Sequence, residues 1–228
     1  MLVVSFGLPL GIYGGWGVVL DLNLSNLGIG QHDAAMIGFY AMSAGCFAGI
    51  ALGWVADRVP LETKQHYGGL KLFIVLLYIG ALGFFGWFAL LCCGSSADES
   101  GGSSSMSALV DVGDEKSSVP HVCGWFPYSL NRVYWACIGG GLCINAVVPL
   151  IYELAMETTW PIAEGSVCGF LVLAQGILQS VFLFIPIGSD TQWMNWTLAG
   201  TFPVVLVVLL PFAEKYPRLE RDQSDILQ

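Results

Sequence analysis

Residues 149–165 read PLIYELAMETTWPIAEG, a stretch with three carboxylates and no base. Glu153 and Glu157 stand four residues apart, so on a helix they share a face and repel by roughly a few tenths of a kcal/mol. A cation between them would reverse the sign. Arg58, which with Asp57 closes an earlier apolar run, is the nearest candidate. Such a cluster could act as an electrostatic latch, or it could be a solvated interfacial patch with no switching role. Glu164 opens the next apolar run, where the positive end of the helix dipole favours an acid.

A second set of reactive types lies near the start, in GLPLGIYGGWGVVLDLNL (7–24). Tyr13 and Trp16 could each offer an aromatic face to a cation. Asp21 could pair with a cationic substrate or carry a proton, because ionisable residues in apolar segments are functional suspects. It could equally reach water at the segment's end. Asn145 sits inside an apolar run, where an interhelical hydrogen bond is the ordinary use of an amide. Metal and nucleophilic chemistry find no support. The seven cysteines show no ligand spacing, the three histidines (His32, His66, His121) fall in predicted loops, and no Ser/His/Asp set is evident. The sequence therefore implies no cofactor and no enzyme.

The elements that position these residues are apolar helices. The chain is 55% hydrophobic and only 11% charged, with a mean hydropathy of +0.70; soluble domains are about 45–50% apolar and about 25% charged. A span needs about 20 apolar residues. Six segments qualify, at 3–24, 34–55, 70–91, 133–155, 166–187 and 193–212. The expected fold class is thus all-α integral membrane, six transmembrane helices in a bundle over 1–213, with a lipid bilayer as partner. Residues 94–130, Ser/Gly-rich and acidic, form a disordered loop in this reading, and 214–228 a polar tail. Cys92, Cys93 and Cys123 flank that loop and could form one disulfide in an oxidising compartment.

The first segment carries Gly7, Pro9, Gly11, Gly14, Gly15 and Gly17. Two readings stay open. One is a broken helix, of the kind that places substrate sites in transporters; Tyr13 and Trp16 would then lie at the break. The other is close helix packing through small residues.

Six of the eight basic residues lie between segments two and three or after segment six, two regions on the same side if the spans alternate. The positive-inside rule makes that side cytosolic. The acids of 153–164 share it with Arg58, and the acidic loop is lumenal or extracellular. So are two glycosylation sequons, at Asn23 and Asn195, both close to the lipid. With so few bases and a net charge of −9, no nucleic-acid partner is expected. The chain opens almost directly in an apolar segment, with Arg58 its first basic residue and no signal-peptide n-region, which leads to the expectation of a fragment or of a gene model that has lost its front.

Gly53 to Arg58 (GWVADR) resembles the Gly-x-x-x-Asp-Arg motif of the major facilitator superfamily. The basic residues that continue that motif are replaced here by Pro60, Leu61 and Glu62. GIYGGWGVVLDLNL, DAAMIGFYAMSAGCFAGIALGWVADR and VPLIYELAMETTWPIAEG together resemble solute carrier family 49, the feline leukaemia virus subgroup C receptor-related transporters. The resemblance covers nearly the whole chain and maps it onto helices seven to twelve of a twelve-helix transporter, the missing N-terminal six-helix half being an implied partner. It implies small-molecule substrates, often cationic, heterocyclic or vitamin-like; members are linked to haem, choline, ethanolamine and vitamin B6-type compounds. The resemblance further implies a lysosomal, proton-linked transporter. The resemblance also points to an aromatic residue on the first helix and a glutamine on the fifth, for which Gln175 is the counterpart and Gln179 shares its face. Superfamily members latch their cytosolic ends with acid–arginine clusters, which is the role implied for Asp57, Arg58, Glu153, Glu157 and Glu164.

In the tail, Tyr216 to Leu219 fits a tyrosine-x-x-hydrophobic sorting signal, and Ile226-Leu227 lies in a near-match to an acidic dileucine signal. Trafficking adaptors would read both from the cytosol, consistent with lysosomal or endosomal residence. The alternative function is a six-helix membrane interaction protein, or a remnant that does not transport.

Overall fold

In a bilayer no water satisfies exposed backbone groups, so spanning segments must close their own hydrogen bonds as helices. The computed structural model of this chain, which describes residues 1–25, 29–58, 69–92, 130–185 and 191–211, is built that way. Its helices are α1 (Leu2–Val18), α2 (Leu20–Ser25), α3 (Gln31–Arg58), α4 (Gly69–Cys92), α5 (Leu130–Thr158), α6 (Glu164–Phe184) and α7 (Gln192–Leu209). Helices α3 to α7 are each long and apolar enough to cross a membrane, and α1 is a shorter apolar helix that α2 extends. The fold is an all-α membrane fold of about six spans. The Ser/Gly loop, Cys93, Cys123, His66, His121 and the tail with Tyr216, Leu219, Ile226 and Leu227 lie outside the described residues, as does the side chain of Asp57.

The helices form an arc, packed in the order α6, α1, α7, α4, α5, α3. Side-chain contacts fix their directions. Gly45 of α3 lies against Asn145 of α5 and Gly49 against Pro149, so these two run parallel. Gly7 meets Ala174 and Leu178, and Gly15 meets Phe182, so α1 and α6 also run parallel. Helix α4 is antiparallel to α7: Lys71 Nζ donates to the Leu210 carbonyl at 2.9 Å at one end, and Gln192 Nε2 to the Cys92 carbonyl at 3.2 Å at the other. Gly80 of α4 meets Cys143 of α5 while Gly139 meets Phe84, so α4 is antiparallel to α5 as well, and the ends of α3, α5 and α7 share one side of the bundle.

The middle of the arc holds the core. Phe85 of α4 stacks on Phe202 of α7 with centroids 5.8 Å apart and planes 5° from parallel. Tyr78, fully buried, donates its hydroxyl hydrogen to the Ser5 carbonyl at 2.6 Å, which satisfies a phenol that burial would otherwise penalise. The two horns are different. Helix α3 presents Phe39, Phe47, Ile50 and Trp54 outward, and α6 presents Phe170, Leu173, Ile177 and Phe184. In water such surfaces would aggregate; in a bilayer lipid covers their outer part, while Phe39 and Phe47 border the space between the two horns.

The glycine-rich first segment is one helix as far as Val18, Pro9 included. The interruption falls at Val19, whose N–H turns back to the Trp16 carbonyl at 3.2 Å before α2 begins. The first reading, a broken helix, thus holds for the segment as a whole, but the break falls at Val19, just past Trp16, and Tyr13 and Trp16 lie in the helix that leads up to it. The glycines serve the second. A Cβ on Gly11 would stand 2.9 Å from the Gln175 carbonyl oxygen, and one on Gly15 would stand 2.6 Å from the Phe182 ring. Only bare backbone lets α1 approach α6 this closely.

Candidate functional site

A cavity of about 930 Å³ lies between the two horns. Its floor is α1 with Cys137 of α5, one wall is α3, and the other is the Gln175–Gln179 face of α6. The short helix α2 and the start of α3 close one end. Tyr13, Trp16, Asp21, Gln175 and Gln179, from three different helices, all line it. Sequence spacing could pair Tyr13 with Trp16 and Gln175 with Gln179; the fold gathers all five.

Each side chain is held differently. Trp16 is almost wholly buried, 3% exposed, with Phe85 and Phe88 against it edge-on at 5.6 and 5.4 Å. Its indole N–H donates to Asn195 Oδ1 at 2.8 Å. The ring is thus fixed as part of the wall. Tyr13 is half-buried, stacked beside Trp16 with centroids 6.2 Å apart, and is the more accessible aromatic face. Its hydroxyl lies over Gly141, where a Cβ would be 3.0 Å away, and the side chain reaches the Asn145 amide. Asn145 in turn donates to the Gly141 carbonyl at 2.8 Å and packs on Gly45, where a Cβ would clash at 2.6 Å. Its donation to Gly141 stays within α5, and its contacts to other helices are with Tyr13 and Gly45.

Gln175 and Gln179 are half-buried, and neither amide is hydrogen-bonded to a described residue. The Gln179 side chain lies over Gly14, with Oε1 2.9 Å from where a Cβ would be. Asp21, in the first turn of α2, is exposed at the cavity's end. It is the one carboxylate among the described lining residues, which include no Lys or Arg. Opposite, α3 contributes Ser43 and the exposed thiol of Cys46. The arrangement offers amides, one phenol, an aromatic face and one negative charge to whatever enters.

The second set of expected residues sits at the far end of the bundle. Glu153 and Glu157 lie in the last turns of α5, both half-buried, with the Glu157 Oε2 atom itself buried. The helix stops at Thr158, where the Thr158 and Thr159 hydroxyls donate to the Leu154 and Ala155 carbonyls at 2.8 and 2.7 Å. Glu164 is exposed in the first turn of α6, the position that the helix dipole favours. Arg58, at the end of the parallel helix α3, is exposed and lays its guanidinium 3.7 Å above the centroid of Trp54 on its own helix.

Two features were not anticipated. The asparagines of the two sequons, Asn23 and Asn195, are buried and bonded to each other, with Asn195 also holding Trp16. Their signal was present, since polar amides inside apolar runs need partners, but nothing in the sequence paired them across 172 positions. His32, expected in a loop, lies in the first turn of α3.

A membrane bundle of about six helices around a polar-edged cavity is the class defined by this geometry. No protein-family model matches the chain. Among curated proteins it is similar to the solute carrier family 49 member 4 homolog of Xenopus laevis, 32% identical over 224 residues. It is also similar to the protein of the same name from Xenopus tropicalis, 31% identical over 224 residues. Each match takes in 97% of this chain and 42% of the relative, so the chain spans about two fifths of the length of the curated relatives it matches. The resemblance to solute carrier family 49 thus holds along almost the whole chain.

Proposed function

We propose that this chain is one half of a secondary active transporter of the major facilitator type, moving a small organic, cationic or vitamin-like metabolite by alternating access. The observation that carries the reading is the convergence of Tyr13, Asp21, Gln175 and Gln179 on one cavity between helices that are not packed together. An amide facing a membrane cavity is costly without a partner, and a polar substrate supplies one. A tyrosine face and a lone carboxylate favour a cation over an anion. Asp21 is also the group in the lining best suited to carry a coupled proton.

Alternating access requires two states within a few kcal/mol of each other. Arg58 and Asp57 with Glu153, Glu157 and Glu164 would supply part of the difference, as a latch at the cytosolic end. Arg58 then exchanges its cation–π contact with Trp54 for a carboxylate when that side closes. An exposed pair adds at most about 1 kcal/mol, so the latch depends on partial burial of the acids. The resemblance to one family member, disrupted in renal carcinoma protein 2, together with the signals at Tyr216–Leu219 and Ile226–Leu227, favours the endolysosomal membrane and trafficking adaptors as partners.

The test is uptake of radiolabelled choline, ethanolamine and pyridoxine into proteoliposomes carrying the full-length protein, with and without an inward-directed proton gradient. Saturable uptake that Gln175→Leu and Gln179→Leu lower about tenfold or more supports the site. Uptake no greater than in protein-free vesicles for all three, under both conditions, counts against it. The outward apolar faces of α3 and α6 favour a second reading, in which the bundle binds another membrane protein without transporting. A reading frame upstream of Met1 that encodes further helices would favour the transporter.

A further inference from the structure

The sequons Asn23-Leu24-Ser25 and Asn195-Trp196-Thr197 lie far apart in the chain and meet in space. Asn23 Nδ2 donates to Asn195 Oδ1 at 2.5 Å, and Asn195 Nδ2 donates back to Asn23 Oδ1 at 3.3 Å. The same Asn195 Oδ1 accepts the Trp16 indole N–H. Asn23 and Asn195 are 3% and 2% exposed. The hydroxyl of each sequon is also engaged, Ser25 Oγ donating to the Leu22 carbonyl at 2.8 Å and Thr197 Oγ1 to the Trp193 carbonyl at 2.7 Å. A glycan is attached through the asparagine amide nitrogen of an accessible surface segment. Here both nitrogens are buried donors on helices.

We propose that Asn23 and Asn195 are positioning residues for Trp16 and not glycan acceptors: their reciprocal amide pair fixes the indole, and with it the aromatic wall of the cavity. The functional part rests on the transport reading of that cavity. Asn195 stands on α7, which contributes no described residue to the lining, so it acts on the site through Trp16 and, by way of Asn23, through α2. The pair joins three elements: α1 through Trp16, α2 through Asn23, and α7. It thereby braces the short helix beyond the interruption at Val19. Take away the Asn195 acceptor and the indole N–H is left among Phe85, Phe88 and other apolar groups, a cost the ring escapes by turning toward the cavity. Tyr13, stacked on Trp16, moves with it.

The experiment uses the intact protein labelled with 5-fluorotryptophan and followed by 19F NMR, the Trp16 resonance being identified by its loss in Trp16→Phe. Asn195→Leu should shift or split that resonance and leave the other tryptophans in place. Asn195→Asp, which keeps the acceptor oxygen, should hold it near its original position. A Trp16 resonance that is the same in Asn195→Leu as in the unaltered protein overturns the proposal. If Asn195→Leu does not fold, Asn195→Ser takes its place, since its shorter side chain withdraws the acceptor, and the same two outcomes apply. Peptide N-glycosidase treatment should leave the gel mobility of the cell-expressed protein unchanged at both sites; a shift abolished by Asn23→Gln or Asn195→Gln overturns the second half. Choline and pyridoxine uptake separates the two readings. A displaced Trp16 with unaltered uptake supports the amide brace and removes the cavity from the transport path.

Discussion

Gln179 on α6 lies across Gly14 on α1, close enough that a single methyl at Gly14 would stand 2.9 Å from its amide oxygen. The pair ties the packing of two helices to the lining of the cavity. One glycine lets α6 come near, and the nearness puts the amide where a solute would meet it.

Gly11→Ala should lower the thermal unfolding midpoint in detergent. Its Cβ would meet the Gln175 carbonyl at 2.9 Å, a backbone atom that cannot step aside, and overpacking of this sort costs about 1–3 kcal/mol. Gly17→Ala is the control. Nothing lies within 4 Å of that Cβ, so the helix keeps the roughly 1 kcal/mol by which alanine exceeds glycine, and the midpoint should hold or rise.

Gln175→Leu and Gln179→Leu should separate stability from transport. Neither amide bonds a described residue, so replacing it by an apolar isostere leaves no orphaned partner and should change the unfolding midpoint little. Uptake of the transported probe should fall about tenfold or more, the loss of one hydrogen bond of about 1.4 kcal/mol or greater. Equal losses of stability and uptake would point to a structural role.

Cys46 should be alkylated by N-ethylmaleimide well before Cys137, as read by peptide mass spectrometry. Both thiols line the cavity, but Cys46 is exposed and Cys137 buried, and only an accessible thiolate reacts. A saturating transported probe should slow the reaction at Cys46. Unchanged labelling in its presence would place the solute elsewhere.

The latch predicts an asymmetric charge swap. Arg58→Glu or Glu153→Arg alone should reduce uptake several-fold, and the double exchange should restore part of it. No recovery in the double variant would mean the two residues do not act as a pair. Cysteines introduced at positions 58 and 211 should label from the same side of the membrane, because α3 and α7 end on one face of the bundle.

Much of this could be read directly from the chain. Long apolar runs with few charges have one solution in a bilayer, so the all-helical membrane fold followed from composition. The i, i+4 spacing placed Gln175 and Gln179 on one face. The glycine run was ambiguous because glycine both weakens helices and permits close contact; only the neighbouring helix decides which effect counts, and here Gln175, Leu178 and Phe182 of α6 fill the space. Trp16 illustrates the same limit. Its type suggested a cation platform, whereas its burial and its bond to Asn195 make it a fixed wall, with Tyr13 as the open face.

The sequence by itself determined that these segments are helices in lipid, and which polar side chains had to find company there, because hydrophobicity and hydrogen-bond need are properties of single residues. The tertiary structure alone decided who the company is: Asn23 with Asn195, Tyr13 beside Asn145, Gln179 over Gly14. Those pairings depend on helix directions and on contacts of a few ångströms between residues distant in the chain, and no local pattern of residue types encodes them.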